Sequence, residues 1–333
     1  MRVWFLIAAL GVLASSASAA EPKSRVLLSG LDNPAGVAVQ PKTGDVFVSD
    51  SGAGKILRVA QGDAPTATPV VTGFKEDIYG KGPKYKIGPL GLAFADETTL
   101  VVGGGDHVDG EEVVYVFDLP SGAAAVDASK ATAKLGPIGP GDASPKGEGN
   151  FYGVALTPTG LYITANGDDT KGWVLKSARD GKKFAALEAF LPTKPAVGVD
   201  APVGITVDAK GHVVIGQMGE INVPQDSLLT VYDESGKLIS KHETGLFDIT
   251  GLAYSPKTGK LYATDFAWMD DKQGGLFELA VAGDAVKATK VLSLNKPTAL
   301  AFSPDGVLYV TVIGTADEAN KKPGQLIEVT GDL

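Results

Sequence analysis

The densest run of chemically able side chains is Gly103-Gly104-Gly105-Asp106-His107-Val108-Asp109-Gly110-Glu111-Glu112. Asp106, His107, Asp109, Glu111 and Glu112 place five oxygen or nitrogen ligands within seven residues, and three glycines let the backbone approach a partner closely. Such a stretch can hold a cation, with His107 as ligand or as base near neutral pH. It can equally be a solvated polar turn, and its spacing is not that of an EF-hand loop.

A second set of polar residues stands where apolar runs end: Asp50, Asp106, Asn166, Asp168, Asp169, Gln217 and Asp265. Either they form a polar ring that meets a ligand or ion, or they cap strand ends through hydrogen bonds to nearby backbone. Aromatic residues gather in the same segments: Tyr79, Tyr85, Phe151, Tyr152, Phe247, Phe266 and Trp268. An apolar patch with a charged rim suits a sugar, a peptide or a protein; packing in the core is the other use of Phe151, Tyr152 and Phe266. The candidate ligand-binding residues are therefore Asp106, His107, Asp109, Tyr152, Asn166, Asp168, Gln217, Asp265, Phe266 and Trp268.

Absences narrow the chemistry. The chain has no cysteine, three histidines (His107, His212, His242) and four arginines, which argues against thiol nucleophiles, multi-histidine metal or quinone sites, and bidentate clamping of carboxylates or phosphates. Neither a Gly-x-Ser-x-Gly elbow nor a phosphate-binding glycine loop is present. A net charge of −9 over 333 residues disfavours nucleic acid and anionic membrane as partners.

Residues 1–20 read as a secretory signal. Arg2 precedes an apolar run over residues 3–13, and Ala17-Ser18-Ala19 or Ser18-Ala19-Ala20 is a small-residue cleavage site. The expected mature chain begins at Ala20 or Glu21, is periplasmic or secreted, and has no later segment apolar enough to span a bilayer. Without disulfides its stability must come from packing and strand pairing.

The element that positions these residues is a repeat. Each copy has a small residue, an apolar strand, a Pro/Gly/Asp turn and a second apolar strand, beginning near Pro34, Pro89, Phe151, Pro202, Ile249 and Pro297. With Gly36, Gly91, Gly153, Gly204, Gly251 and Ala299 as markers, the spacings are 55, 62, 51, 47 and 48 residues. Two further strands follow in each repeat, and four-stranded repeats of this period are propeller blades. The last repeat has three strands, and residues 25–29 supply the fourth. The expected fold is all-β: one six-bladed β-propeller over residues 21–333, closed by its N-terminal strand. Residues 123–133 are alanine-rich and read as loop and strand, with a local helix as the alternative.

In an antiparallel blade the turns alternate between the faces of the disc. First-to-second strand turns such as Pro41-Lys42-Thr43-Gly44 and Pro304-Asp305-Gly306 are short, whereas the second-to-third connections and the 75–88 and 137–150 crossovers are long. Any functional site is thus expected on the long-loop face, near the central channel.

The phrase Pro34-x-Gly36-Val-Ala-Val, followed by Gly44-x-Val-Phe-Val-Ser-Asp50-Ser-Gly-x-Gly-Lys55-Ile56, resembles NHL-repeat proteins and the related SMP-30/gluconolactonase-like six-bladed propellers. The lactonase members hold a central Ca²⁺ with Glu, Asn and Asp just before the marker glycines. Here those positions are Ala35, Leu90, Tyr152, Val203, Thr250 and Thr298, so the resemblance does not carry that metal site over, and no cofactor is expected. The leading expectation is a monomeric binding or scaffold module with a protein or glycan partner; the alternative is a lactonase-like hydrolase using Asp106, His107, Asp109 and Asn166, with or without a divalent cation such as Ca²⁺.

Overall fold

A computed structural model describes residues 21–62, 65–80, 83–120, 122, 124–141, 144–167 and 171–333. The signal segment, Asp168, Asp169 and Lys81 lie outside the described residues.

Six small antiparallel sheets are arranged as a six-bladed β-propeller. Blade 1 runs from the channel outward through Pro34–Val39, Val46–Asp50, Lys55–Ala60 and Thr66–Thr72. Blade 2 is Pro89–Phe94, Thr99–Gly104, Val114–Asp118 and Ala133–Leu135; blade 3 is Phe151–Leu156, Gly160–Ala165, Trp173–Asp180 and Glu188–Pro192. Blade 4 is Pro202–Val207, Val213–Gln217, Leu228–Tyr232 and Leu238–Glu243; blade 5 is Ile249–Tyr254, Leu261–Asp265, Gly275–Ala282 and Ala285–Ser293. Blade 6 comprises Pro297–Phe302, Leu308–Val312, Gly324–Thr330 and the N-terminal strand Lys23–Leu31. That last pairing is antiparallel from Lys23↔Thr330 to Leu31↔Gly324, so two sheet edges are hidden where the ring closes.

Residues 126–135 divide into Val126–Asp127, a short 3₁₀ turn and Ala133–Leu135, as loop and strand. Val126–Asp127 adds in parallel to the outer strand of blade 1, tying blades 1 and 2 together.

Strand alternation puts one apolar row on each side of every sheet, and adjacent blades bury these rows against one another. Phe47, Ile56, Leu100 and Phe117 fill the wedge between blades 1 and 2; Leu31, Val46, Tyr309 and Leu326 fill the closing wedge between blades 6 and 1. Each fully buried side chain of this kind contributes roughly 1.5–3 kcal/mol.

The marker glycines have a steric cause. A Cβ on Gly91 would lie 1.9 Å from the carbonyl oxygen of Tyr152 in the next blade, so only glycine lets the innermost strands approach this closely. The short turns of the opposite face use glycine differently: Gly44 has open space around it but sits at φ +74°.

Candidate functional site: the covered mouth of the channel

The 75–88 crossover is a hairpin, Asp77–Tyr79 paired with Tyr85–Ile87. Its base is fixed by Gly88, whose N–H donates to Ser51 Oγ over 2.9 Å. From there it reaches over the channel mouth. Asn166 of blade 3 donates to the Tyr79 hydroxyl at 3.1 Å. Trp268, on the blade 5 connection, packs edge-on against Tyr79 and Tyr85 at ring separations of 6.2 and 5.4 Å, and Phe266 meets Tyr85 at 6.1 Å.

Beneath the hairpin lies a cavity. Its floor is formed by the six positions that precede the marker residues: Ala35, Leu90, Tyr152, Val203, Thr250 and Thr298. Its walls add Tyr79, Tyr85, Phe266 and Trp268, with Asn33, Asn150 and Asn166 as uncharged polar groups. Tyr152 crosses the channel, its hydroxyl meeting the Thr298 side chain in blade 6, the blade opposite. Thr298 in turn donates to the Pro34 carbonyl over 2.8 Å. Tyr152 borders both this cavity and the lower channel lined by the marker glycines, so it acts as a septum between them.

Burial and the carboxylates of Asp109, Asp200 and Asp248 push the Tyr79 phenol up to about 12, and burial with Asp271 does the same for Tyr85. Burial likewise drives the Tyr152 phenol upward. All three rings therefore carry neutral hydroxyls at physiological pH.

The sequence-predicted residues separate into two groups. Tyr152, Asn166, Phe266 and Trp268 line the cavity. Asp109 stands just behind it, 3.4 Å from the Asn150 amide nitrogen. The others are used by the scaffold. Asp106 is 3% exposed and accepts from the Tyr115 hydroxyl at 2.8 Å, with His107 Nδ1 3.3 Å from its other oxygen. Gln217 is fully buried and donates to Thr193 Oγ1 and the Val199 carbonyl. Asp265 accepts from the backbone N–H groups of Phe247, Asp248 and Ala267, and Asp50 from that of Asp32. Among the described residues, Asp50, Asp106, Gln217 and Asp265 thus spend these bonds on the protein's own strand ends and side chains. Phe151 is fully buried in the core.

Sequence reasoning missed several contributors. Asn33 and Asn150 line the cavity from left-handed conformations, at φ 48° and 50°, directly before the innermost strands of blades 1 and 3. Glu112, which the sequence marks as one of five possible ligands in its run, is completely buried and acts instead as a support; its Oε2 accepts the Asn150 N–H, and a Cβ on Gly149 would crowd both Glu112 and Asp109. Burial drives the Glu112 carboxyl up to about 9, with Asp109, Asp106 and Asp77 adding to the effect. Asp248 is 3% exposed and fixes the aromatic loop, accepting the Trp268 N–H at 2.6 Å while its carbonyl accepts that of Phe266. Burial raises the Asp248 carboxyl to about 7, and the neighbouring Asp265 and Asp226 carboxylates reinforce the shift.

No family model and no curated protein sequence matches the chain. Solved structures do. The PQQ-bound aldose sugar dehydrogenase of Streptomyces coelicolor is 17% identical with a TM-score of 0.63, covering 93% of this chain and 99% of its own. A gluconolactonase of Xanthomonas campestris is 12% identical with a TM-score of 0.62, over 96% and 93%. A luciferin-regenerating enzyme is 13% identical with a TM-score of 0.61, over 93% and 95%. At these identities the likeness concerns the fold: the chain shares the six-bladed propeller on which gluconolactonases and sugar dehydrogenases are built.

Proposed function

We propose that this propeller binds a small, largely apolar molecule in the cavity under the 77–87 hairpin. The observation that carries the reading is the inward placement of the aromatic residues. Phe266 and Trp268 are 3% and 8% exposed, so they serve a concave pocket better than a flat protein surface. A macromolecular partner would instead meet Ile78, Val108, Val223 and Met269, which are exposed on the long connections. The predicted export of residues 21–333 remains part of this proposal, as does the resemblance of the Pro34 phrase to NHL repeats.

The test is a thermal-shift screen of small molecules, lactones and aldoses included. At least one compound should raise Tm in the wild type and lose that effect in Trp268→Leu. A screen in which nothing shifts the wild type overturns the reading.

A catalytic version has support of its own. The structural neighbours include gluconolactonases and sugar dehydrogenases by name, which favours an enzyme over a pure scaffold. Asp109 lies against Asn150 at the cavity edge, where its carboxylate can activate water for attack on a lactone carbonyl. Lactone hydrolysis by the wild type and its loss in Asp109→Asn would support this version; an inactive wild type removes it.

Two groups tied to this fold do not fit the residues present. A Ca²⁺ ion requires about six to eight oxygen ligands, several of them anionic, whereas the six channel positions offer only the hydroxyls of Tyr152, Thr250 and Thr298. PQQ is a planar quinone with three carboxylates, and the cavity lining contains no Lys, Arg or His to balance them.

A further inference from the structure

We propose that the ligand of this cavity is an organic cation, an ammonium-bearing molecule whose charged head sits against the Tyr79, Tyr85 and Trp268 rings. The inference rests on the cavity being the binding site and adds the charge class of its occupant.

Three observations converge on it. First, the cavity wall is rich in aromatic rings set edge-on to one another, with Tyr85 and Trp268 at 88°, so ring faces as well as edges are presented to the space they enclose. The face of an aromatic ring attracts a cation, by about 2 kcal/mol or more once water is excluded. Second, the lining has no cationic side chain. Its polar groups are neutral amides and hydroxyls, which can solvate an ammonium's substituents without competing with its charge.

Third, carboxylates surround the cavity from several blades. Asp109 touches Asn150 from behind, and Asp248 holds the Trp268 backbone. A groove that shares Tyr79, Asn166 and Met218 with the cavity carries Asp200 and Glu220. The cation in that groove, Lys194, is paired with both at 3.2 and 3.5 Å. On the opposite side Lys86 is paired with Glu76 and Lys322 with Asp32. The hydroxyls of Tyr79 and Tyr85 are held protonated by burial, with Asp109, Asp200 and Asp248 adding to the effect at Tyr79 and Asp271 at Tyr85, which keeps the rings as cation acceptors rather than fixed anions. An anionic ligand would meet no cationic side chain in the cavity lining, and a neutral one would draw nothing from the carboxylates around it.

The experiment compares three probes of nearly equal shape: choline, its uncharged analogue 3,3-dimethylbutan-1-ol, and 3,3-dimethylbutanoate. Binding is read by isothermal titration calorimetry, which serves the Trp268 variant as well as the wild type. Choline should bind about tenfold or more tightly than the neutral analogue, and the carboxylate should not bind. Trp268→Leu should abolish the choline preference. Asp200→Asn, at a position outside the cavity lining, should weaken choline two- to threefold and leave the alcohol unchanged. Equal or tighter binding of the alcohol or the carboxylate overturns the inference, as does the absence of binding by all three. A compound from the thermal-shift screen that still binds would then leave the pocket itself standing.

Discussion

The amide of Asn166 is bonded to the hydroxyl of Tyr79, 87 residues away in sequence, and this single bond pins the 77–87 hairpin to blade 3 across the channel mouth. Asn166→Ala removes it without touching a blade interface. A hydrogen bond of this kind contributes about 1 kcal/mol. Amide exchange across residues 77–87 should therefore accelerate and ligand affinity fall by roughly fivefold, with Tm almost unmoved. Unchanged exchange would show that the aromatic packing alone holds the hairpin.

Asp248 gives a pH dependence with a definite sign. Its folded-state carboxyl, at about 7, is above the unfolded value near 3.8. Between those values the folded chain keeps a proton that the unfolded chain releases, so this group makes stability fall as pH rises through the window. Asp248→Asn keeps an oxygen to accept the Trp268 N–H and removes the ionisation. The variant should match wild type near pH 4 and exceed it at pH 8 by at most about 4 kcal/mol, as read from urea unfolding at both values. A wild type that gains on the variant as pH rises contradicts the account.

Glu112 tests whether a neutral acid supports the cavity wall. With its carboxyl at about 9, it is protonated at pH 7, and Glu112→Gln reproduces that state. Gln should preserve both fold and ligand affinity. Glu112→Ala leaves the Asn150 N–H without its acceptor, which costs about 1–3 kcal/mol, and should also weaken binding through the displaced Asn150. Comparable binding by the Gln and Ala variants would remove Glu112 from the site.

Much of this fold is legible in the sequence because the repeat is a steric requirement. Marker glycines stand where neighbouring backbones touch, and the apolar alternation around them is what each wedge buries. The N-terminal strand is legible by subtraction, since the last repeat lacks one. The site is harder to read. Asp106, Gln217 and Asp265 have the chemistry of ligands, but in this fold Asp106 accepts the Tyr115 hydroxyl, Gln217 donates to Thr193 and the Val199 carbonyl, and Asp265 accepts backbone N–H groups, demands that composition and spacing do not reveal. The hairpin consists of two three-residue strands, too short for an alternation pattern. Its signal is Tyr79 and Tyr85 flanking Gly80-Lys81-Gly82-Pro83, a turn sequence between two aromatic-bearing runs. Asn33 and Asn150 are marked only by position, as residues tolerant of positive φ just before an innermost strand.

The same location predicts a stabilising change. Lys296 precedes the innermost strand of blade 6 at φ 56°, a conformation that costs a residue with a Cβ about 1 kcal/mol. Lys296→Gly should raise Tm by one to a few degrees, measured calorimetrically. A lower Tm would mean that the Lys296 side chain, 3.5 Å from Thr315, contributes more than the backbone strain takes away.

The central claim is that ligand enters the space enclosed by Tyr79, Tyr152 and Trp268. A crystal structure of the protein with the compound that most raises its Tm tests this directly. The account predicts density for that compound above Tyr152, in contact with the Trp268 ring and within reach of Asn150 or Asn166. Density confined to the short-turn face, to the outer blade edges, or below Tyr152 would contradict it.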